Sequence, residues 1–258
     1  MSPATLALAA FFAAVIGLTL GLIGGGGSIL TVPVFVYVLG VPAKQAIAMS
    51  LPVVGATSLI GAIGHWRAGN VQWRTALAFG LVAMLGSFGG TRLARYLDGA
   101  VQLTLLGVVM LGAGLAMLRS RDGAVVPSPP TPHRLALVGA VGLGVGVLTG
   151  LVGIGGGFLI VPALVLLVGL PMKQGVGTSL VVITMNAAAA FAGYAGTTVV
   201  DWRMMAAFTA ITIAGVLAGT RFATAVPAQH LKRGFAIFLF VVAAFVLYQN
   251  RGVFLGAR

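Results

Sequence analysis

Two glycine-rich runs, Gly24-Gly25-Gly26-Gly27-Ser28 and Gly153-Ile154-Gly155-Gly156-Gly157, are the residues whose type and spacing point most directly to chemistry. Each glycine in a helix interior costs about 1 kcal/mol relative to alanine. A helix ending near Ile23 is therefore expected to break there, and a short one to begin near Ser28. A helix opening after such a break presents unpaired N–H groups and the positive end of its dipole, a ready anion site. Two such ends, one from each half of the chain, would cradle a single small anion. The same residues would also serve close helix packing, which is the reading given to the scattered Gly139, Gly142, Gly144 and Gly146.

Further polar candidates follow each run at matched spacing: Lys44, Gln45 and Ser50 after the first, and Lys173, Gln174, Thr178 and Ser179 after the second. The lysines could attract an anion or anchor a helix at the membrane surface. Asn186 stands out inside an apolar stretch, because its amide demands partners in lipid, and is read as cavity lining. The substrate-binding set is thus Gly24 to Ser28, Gly153, Gly155 to Gly157, Lys44, Gln45, Ser50, Lys173, Gln174, Thr178, Ser179 and Asn186. Arg92 and Arg221, each preceded by Gly-Thr, are candidates for a gate or anion funnel. Trp73 and Trp202, each followed by arginine, read as aromatic-belt anchors.

Other chemistries fail on residue type or context. A nucleotide P-loop needs Gly-Lys-Ser/Thr after its glycines, and neither run has it. The three histidines, His65, His133 and His230, form no metal cluster, so neither metal nor other cofactor is expected. The only acids are Asp98, Asp122 and Asp201, none placed inside an apolar stretch, which argues against an aspartate pair or a carboxylate proton relay. No Ser-His pair is well placed, and the absence of cysteine removes thiol nucleophiles, so no enzyme is expected. The net charge of +12 comes from singly scattered cations rather than a basic stripe, which argues against nucleic acid.

The elements that must carry these residues are set by composition. With 59% hydrophobic residues, 7% charged residues and 39 glycines in 258, the chain departs from the roughly 25% charge of soluble domains. An integral membrane protein remains. Apolar segments fall at 4–23, 28–41, 45–64, 75–97 and 101–118, and again at 134–152, 157–168, 174–195, 203–223 and 231–249. Between them lies a polar stretch with Pro127, Pro129, Pro130 and Pro132. Sliding the sequence by 129 residues aligns 17–94 with 146–223 without a gap, with 28 identities in 78 positions. The organisation read from this is an N-terminal repeat over 1–118, a linker over 119–133 and a C-terminal repeat over 134–258. The fold class is an all-α polytopic membrane protein of two homologous repeats. Each repeat has four to five helical segments, 8–10 in total, with glycine-broken or re-entrant helices near the midplane. Five crossings per repeat make the repeats inverted, and four make them parallel. The inverted plan is favoured by its frequency among transporters with broken helices.

The duplicated glycine runs, the Pro-x-Lys-Gln elements at Pro42 and Pro171 and the Gly-Thr-Arg elements ending at Arg92 and Arg221 together resemble the TauE/SafE sulfite-exporter family. The resemblance covers Phe12 to Tyr248. It implies outward secondary transport of small anions such as sulfite or sulfonates across a bacterial inner membrane, with lipids and the anion as partners. An anion channel and a non-transporting scaffold are the alternatives. A homodimer is compatible with the sequence but not specified by it. With no acid in the spans, export driven by the membrane potential, which needs no coupling ion, suits this interior, and sodium held by backbone carbonyls in the glycine breaks is the alternative.

Overall fold

A computed structural model describes residues 3–119, 132–152, 157–194, 200–223 and 225–251, and the described residues are helical throughout apart from short connections. The helices are α1 (Pro3–Ile23), α2 (Gly26–Pro33), α3 (Ala43–Arg67), α4 (Trp73–Ala94) and α5 (Gly99–Arg119), then α6 (Pro132–Val152), α7 (Gly157–Pro162), α8 (Met172–Tyr194), α9 (Trp202–Ala223) and α10 (Ala228–Gln249). Among the described residues, seven helices are long and apolar enough to cross a membrane. In hydrocarbon every backbone polar group must be satisfied within the segment, so runs of this composition have no alternative to helix. Both short helices end on a proline, Pro33 and Pro162, and pass into a π-helical turn, Val34–Val38 and Ala163–Leu167. Gly40 and Gly169 then take positive φ, 68° and 82°, which accounts for glycine at both matched positions.

Close contacts fix the direction of each helix. A β-carbon at Gly55 would lie 3.2 Å from that of Ala187, one at Gly61 3.2 Å from Leu180, and one at Gly177 3.0 Å from His65. Rising numbers on α3 meet falling numbers on α8, so these two helices, the most buried of the spans, run antiparallel at the centre. Because they occupy equivalent positions 129 residues apart, the two halves are inverted relative to each other. His65, near the end of α3, bonds Gly21, near the end of α1, so α1 and α3 run the same way. The segment holding α2 and its π turn therefore carries the chain back between them. Its 13 residues rise only about 20 Å, against the roughly 30 Å of a hydrocarbon core.

The halves interlock instead of sitting side by side. α1 packs along α9 and α6 along α4, while α5 pairs with α10. Both long seams are built from matched glycines: Gly17 and Gly21 against Gly215 and Gly219, and Gly146 and Gly150 against Gly86 and Gly90. A β-carbon at Gly21 would come within 2.7 Å of the Thr220 backbone nitrogen, and one at Gly86 within 2.9 Å of that of Val147. These backbones touch as in small-xxx-small membrane pairs. A direct contrast follows on α4. A β-carbon at Gly90 would lie 3.0 Å from the Leu151 backbone nitrogen, whereas nothing lies within 4 Å of one at Gly89. Gly90→Ala is expected to destabilise the protein by about 1–3 kcal/mol through overpacking. Gly89→Ala is expected to be neutral or stabilising. Denaturation midpoints of the two variants in the same detergent check this.

Candidate functional site

The first glycine run breaks the chain as its composition demands, although α2 begins at Gly26, two residues before the expected Ser28. Gly24 takes φ 80°, which an L side chain disfavours, and the Gly25 N–H donates to the Ile23 carbonyl at 3.2 Å. Ser28 Oγ donates to the Gly25 carbonyl at 2.7 Å and secures the turn. The break abuts the other half directly. A β-carbon at Gly157, which opens α7, would lie 2.6 Å from Gly25 Cα and 2.7 Å from Ile183 Cδ1. Gly153, Gly155 and Gly156 lie outside the described residues. Gly24, Gly25 and Gly157 thus meet beside α8, while Gly27 packs against Ile16 and Leu20 of α1.

The side of α8 that lines this meeting point carries the polar groups. A β-carbon at Gly24 would sit 2.8 Å from Ser179 Oγ and 3.1 Å from the Val176 carbonyl oxygen. Ser179, Ile183 and Asn186 recur at i, i+4 and i+7 and share one helical face. Asn186 is fully buried, and neither its Oδ1 nor its Nδ2 has a hydrogen-bond partner. On α3, Ser58 lies between Gly55 and Gly61, which meet Ala187 and Leu180, and its buried hydroxyl is also unpartnered. Another buried unpartnered hydroxyl, that of Thr31, lies elsewhere: Thr31 shares the side of Gly27, which is packed on Ile16 and Leu20 of α1. The hydroxyls of Ser50, Thr57, Ser179 and Thr184 donate to carbonyls of their own helices, those of Ile47, Val53, Val176 and Leu180. Burying an unpaired amide and hydroxyl costs stability.

Two side chains hold the helix ends that lead into the breaks. The Gly21 carbonyl, in the last turn of α1, accepts from His65 Nε2 at 2.9 Å, and the Leu151 carbonyl, in the last turn of α6, accepts from Gln102 Nε2 at 3.0 Å. Helix C-termini leave carbonyls without intrahelical partners, and here the interior supplies donors. Neither residue stood out in the sequence, because its partner lies 44 or 49 positions away.

Other expected site residues are placed away from this centre. Lys44 is exposed at the start of α3 and Lys173 sits at the start of α8; with those helices antiparallel, the two lysines lie at opposite ends of the molecule. Gln45 shares the end of Lys44. Gln174 Oε1 accepts from Gln72 Nε2 at 3.2 Å, and Thr178 Oγ1 accepts from the Gln72 N–H at 3.0 Å, so both fasten the connection between α3 and α4. Arg92 is exposed over the Phe88 ring at 4.4 Å, and Arg221 is exposed at the opposite end. The residues before them pack: Gly90 and Gly219 in the seams, Thr91 on Gly193 and Thr220 on Gly64. Arg95, which sequence reasoning passed over, donates to the Gly193 carbonyl at 2.9 Å. Trp73 and Trp202 are exposed near helix starts. Asp98 and Asp201 are exposed, and Asp201 Oδ1 accepts the N–H groups of Arg203 and Met204 as a helix cap. Asp122 lies outside the described residues.

Comparison with known proteins gives a consistent picture. The sequence profile described as sulfite exporter TauE/SafE matches residues 8–246. A probable membrane transporter protein of Xylella fastidiosa (strain 9a5c) is 37% identical over 240 residues, covering 91% of this chain and 92% of its own. The probable membrane transporter protein YdhB of Bacillus subtilis (strain 168) is 30% identical, with 87% of this chain and 92% of its own covered. A further relative, MJ0441 of Methanocaldococcus jannaschii, is 25% identical over 248 residues and carries the same description. No solved structure matches the chain.

Proposed function

Since the chain belongs to the TauE/SafE sulfite exporter family of multi-pass membrane transporters, we propose that it exports small sulfur-containing or organic anions across a bacterial inner membrane, by alternating access about the centre where the glycine breaks meet. The observation that carries this reading is Asn186: an unpartnered amide, fully buried, on the α8 face that touches both Gly24 and Gly157. The start of α2 adds N–H groups without intrahelical partners and the positive end of a dipole. Glycine at the break lets a ligand approach the backbone where any side chain would stand in the way. Ser28, Ser50, Ser58, Ser179 and Asn186 have no exposed surface, so this conformation is closed on both sides. Access to either side then requires the halves to shift against each other, which inverted repeats do by exchanging roles.

The described acids stand outside the centre and offer it no carboxylate relay, which favours the membrane potential as the driving force. An anion leaving a cell that is negative inside gains about 2.3 kcal/mol per charge per 100 mV, enough for roughly fiftyfold accumulation. Proteoliposomes holding the purified chain test this. With an inside-positive potential and no sodium or pH gradient, labelled sulfite is expected to accumulate, and collapsing the potential is expected to release it. Accumulation that needs a proton or sodium gradient would contradict potential-driven transport.

A further inference from the structure

The centre is polar, and among the described residues it carries no countercharge, which restricts what it can hold. Among the side chains described, no lysine or arginine is buried, and the four residues joining α6 to α7 are Gly-Ile-Gly-Gly. Among the described residues, the Asn186 amide and the Ser58 hydroxyl are buried donors without partners, and the first-turn N–H groups of α2 have none within their own helix. Ser28, Ser50, Thr57 and Ser179 spend their hydroxyl protons on carbonyls of their own segments. From these observations, and resting on the anion-transport reading above, we infer that the site is selective for singly charged oxyanions, of the sulfonate or hydrogen-sulfite kind, and excludes dianions.

The reason is a difference in scaling. Attraction between an ion and fixed dipoles grows in proportion to the charge, while the cost of stripping its hydration grows with the square of the charge, so a dianion loses about four times as much solvation for twice the attraction. A cation at the site would change this balance by compensating the second charge, and the lysines that could do so stand at the two ends of the molecule. The dipole at the start of α2 is equivalent to about half an elementary charge, which suits one negative charge and falls well short of two. Each export cycle then moves one unit of charge.

The test uses the full chain in proteoliposomes and labelled methanesulfonate, which is a monoanion at every working pH. Sulfate, a dianion of similar size, is expected to compete at least about 100-fold more weakly than unlabelled methanesulfonate. Sulfite supplies an internal second arm, since raising the pH converts the hydrogen-sulfite monoanion into the dianion. The ratio of sulfite to methanesulfonate flux is expected to fall across that ionisation. Equal competition by sulfate, or a flat flux ratio, would overturn the charge selectivity and leave anion transport standing. Absence of flux for all three anions would overturn both.

Discussion

Replacing Asn186 with leucine is expected to make the protein more stable and less active at the same time. The amide is fully buried with both polar atoms unpartnered, so exchanging it for an apolar group of similar shape removes a desolvation cost of about 1–3 kcal/mol. The same exchange removes a donor to the bound anion, and hydrogen bonds to charged groups contribute about 1.5–3 kcal/mol, so flux should fall roughly 10- to 150-fold. Denaturation in detergent and initial rates in proteoliposomes read the two effects separately. A purely structural role predicts the opposite pairing, with lower stability and unchanged flux in the surviving protein. Ser58→Ala carries the same logic on α3 with a smaller change in volume.

Gly24→Ala is expected to damage the protein by two separable routes. A φ of 80° costs an L residue roughly 1–2 kcal/mol. The new β-carbon would also stand 2.8 Å from Ser179 Oγ and 3.1–3.2 Å from the Val176 backbone, an overpacking cost of about 1–3 kcal/mol. Together these place the loss at about 2–5 kcal/mol, a large part of the stability of an ordinary domain. Removing Ser179 Oγ in Gly24→Ala/Ser179→Ala should return part of the steric share and none of the backbone share. A double-mutant cycle measures this as a coupling of about 0.5–3 kcal/mol. Additive single effects would show that the break does not rest on α8 as described.

The spans and the break at Gly24 could be read from sequence because each depends on local composition. What could not be read depends on contacts between distant segments. The choice between inverted and parallel halves turns on the register of α3 against α8 and on the bond from His65 to Gly21, neither of which leaves a local signal. Retention of Gly-Thr-Arg in both halves suggested a gate, yet Gly90 and Gly219 are held by backbone contacts across a seam and Thr91 and Thr220 by glycines of the neighbouring helices. Matched positions record packing as readily as chemistry. The boundary at 75–97 overshot because α4 ends at Ala94 in a short turn, with Tyr96 N–H donating to the Leu93 carbonyl. Lys44 and Lys173 looked like site residues because their spacing from the glycines is the same in both halves, but inversion sends them to opposite ends. Asn186 was legible for a simple reason: an amide in an apolar helix has few inexpensive explanations.

The chain contains no cysteine, so a single one can be placed at the centre without a background. Ser58→Cys puts a thiol at the unpartnered position on α3, and Asp98→Cys puts one on an exposed connection. The measurement is the rate at which a small water-soluble maleimide labels each variant in proteoliposomes, with and without methanesulfonate. If the anion passes through the meeting point of the glycine breaks, Cys at position 58 labels as the protein opens, and methanesulfonate slows that labelling while leaving the position 98 control unchanged. Labelling at position 58 that is absent, or unaffected by methanesulfonate in a variant that still transports it, would contradict a central site.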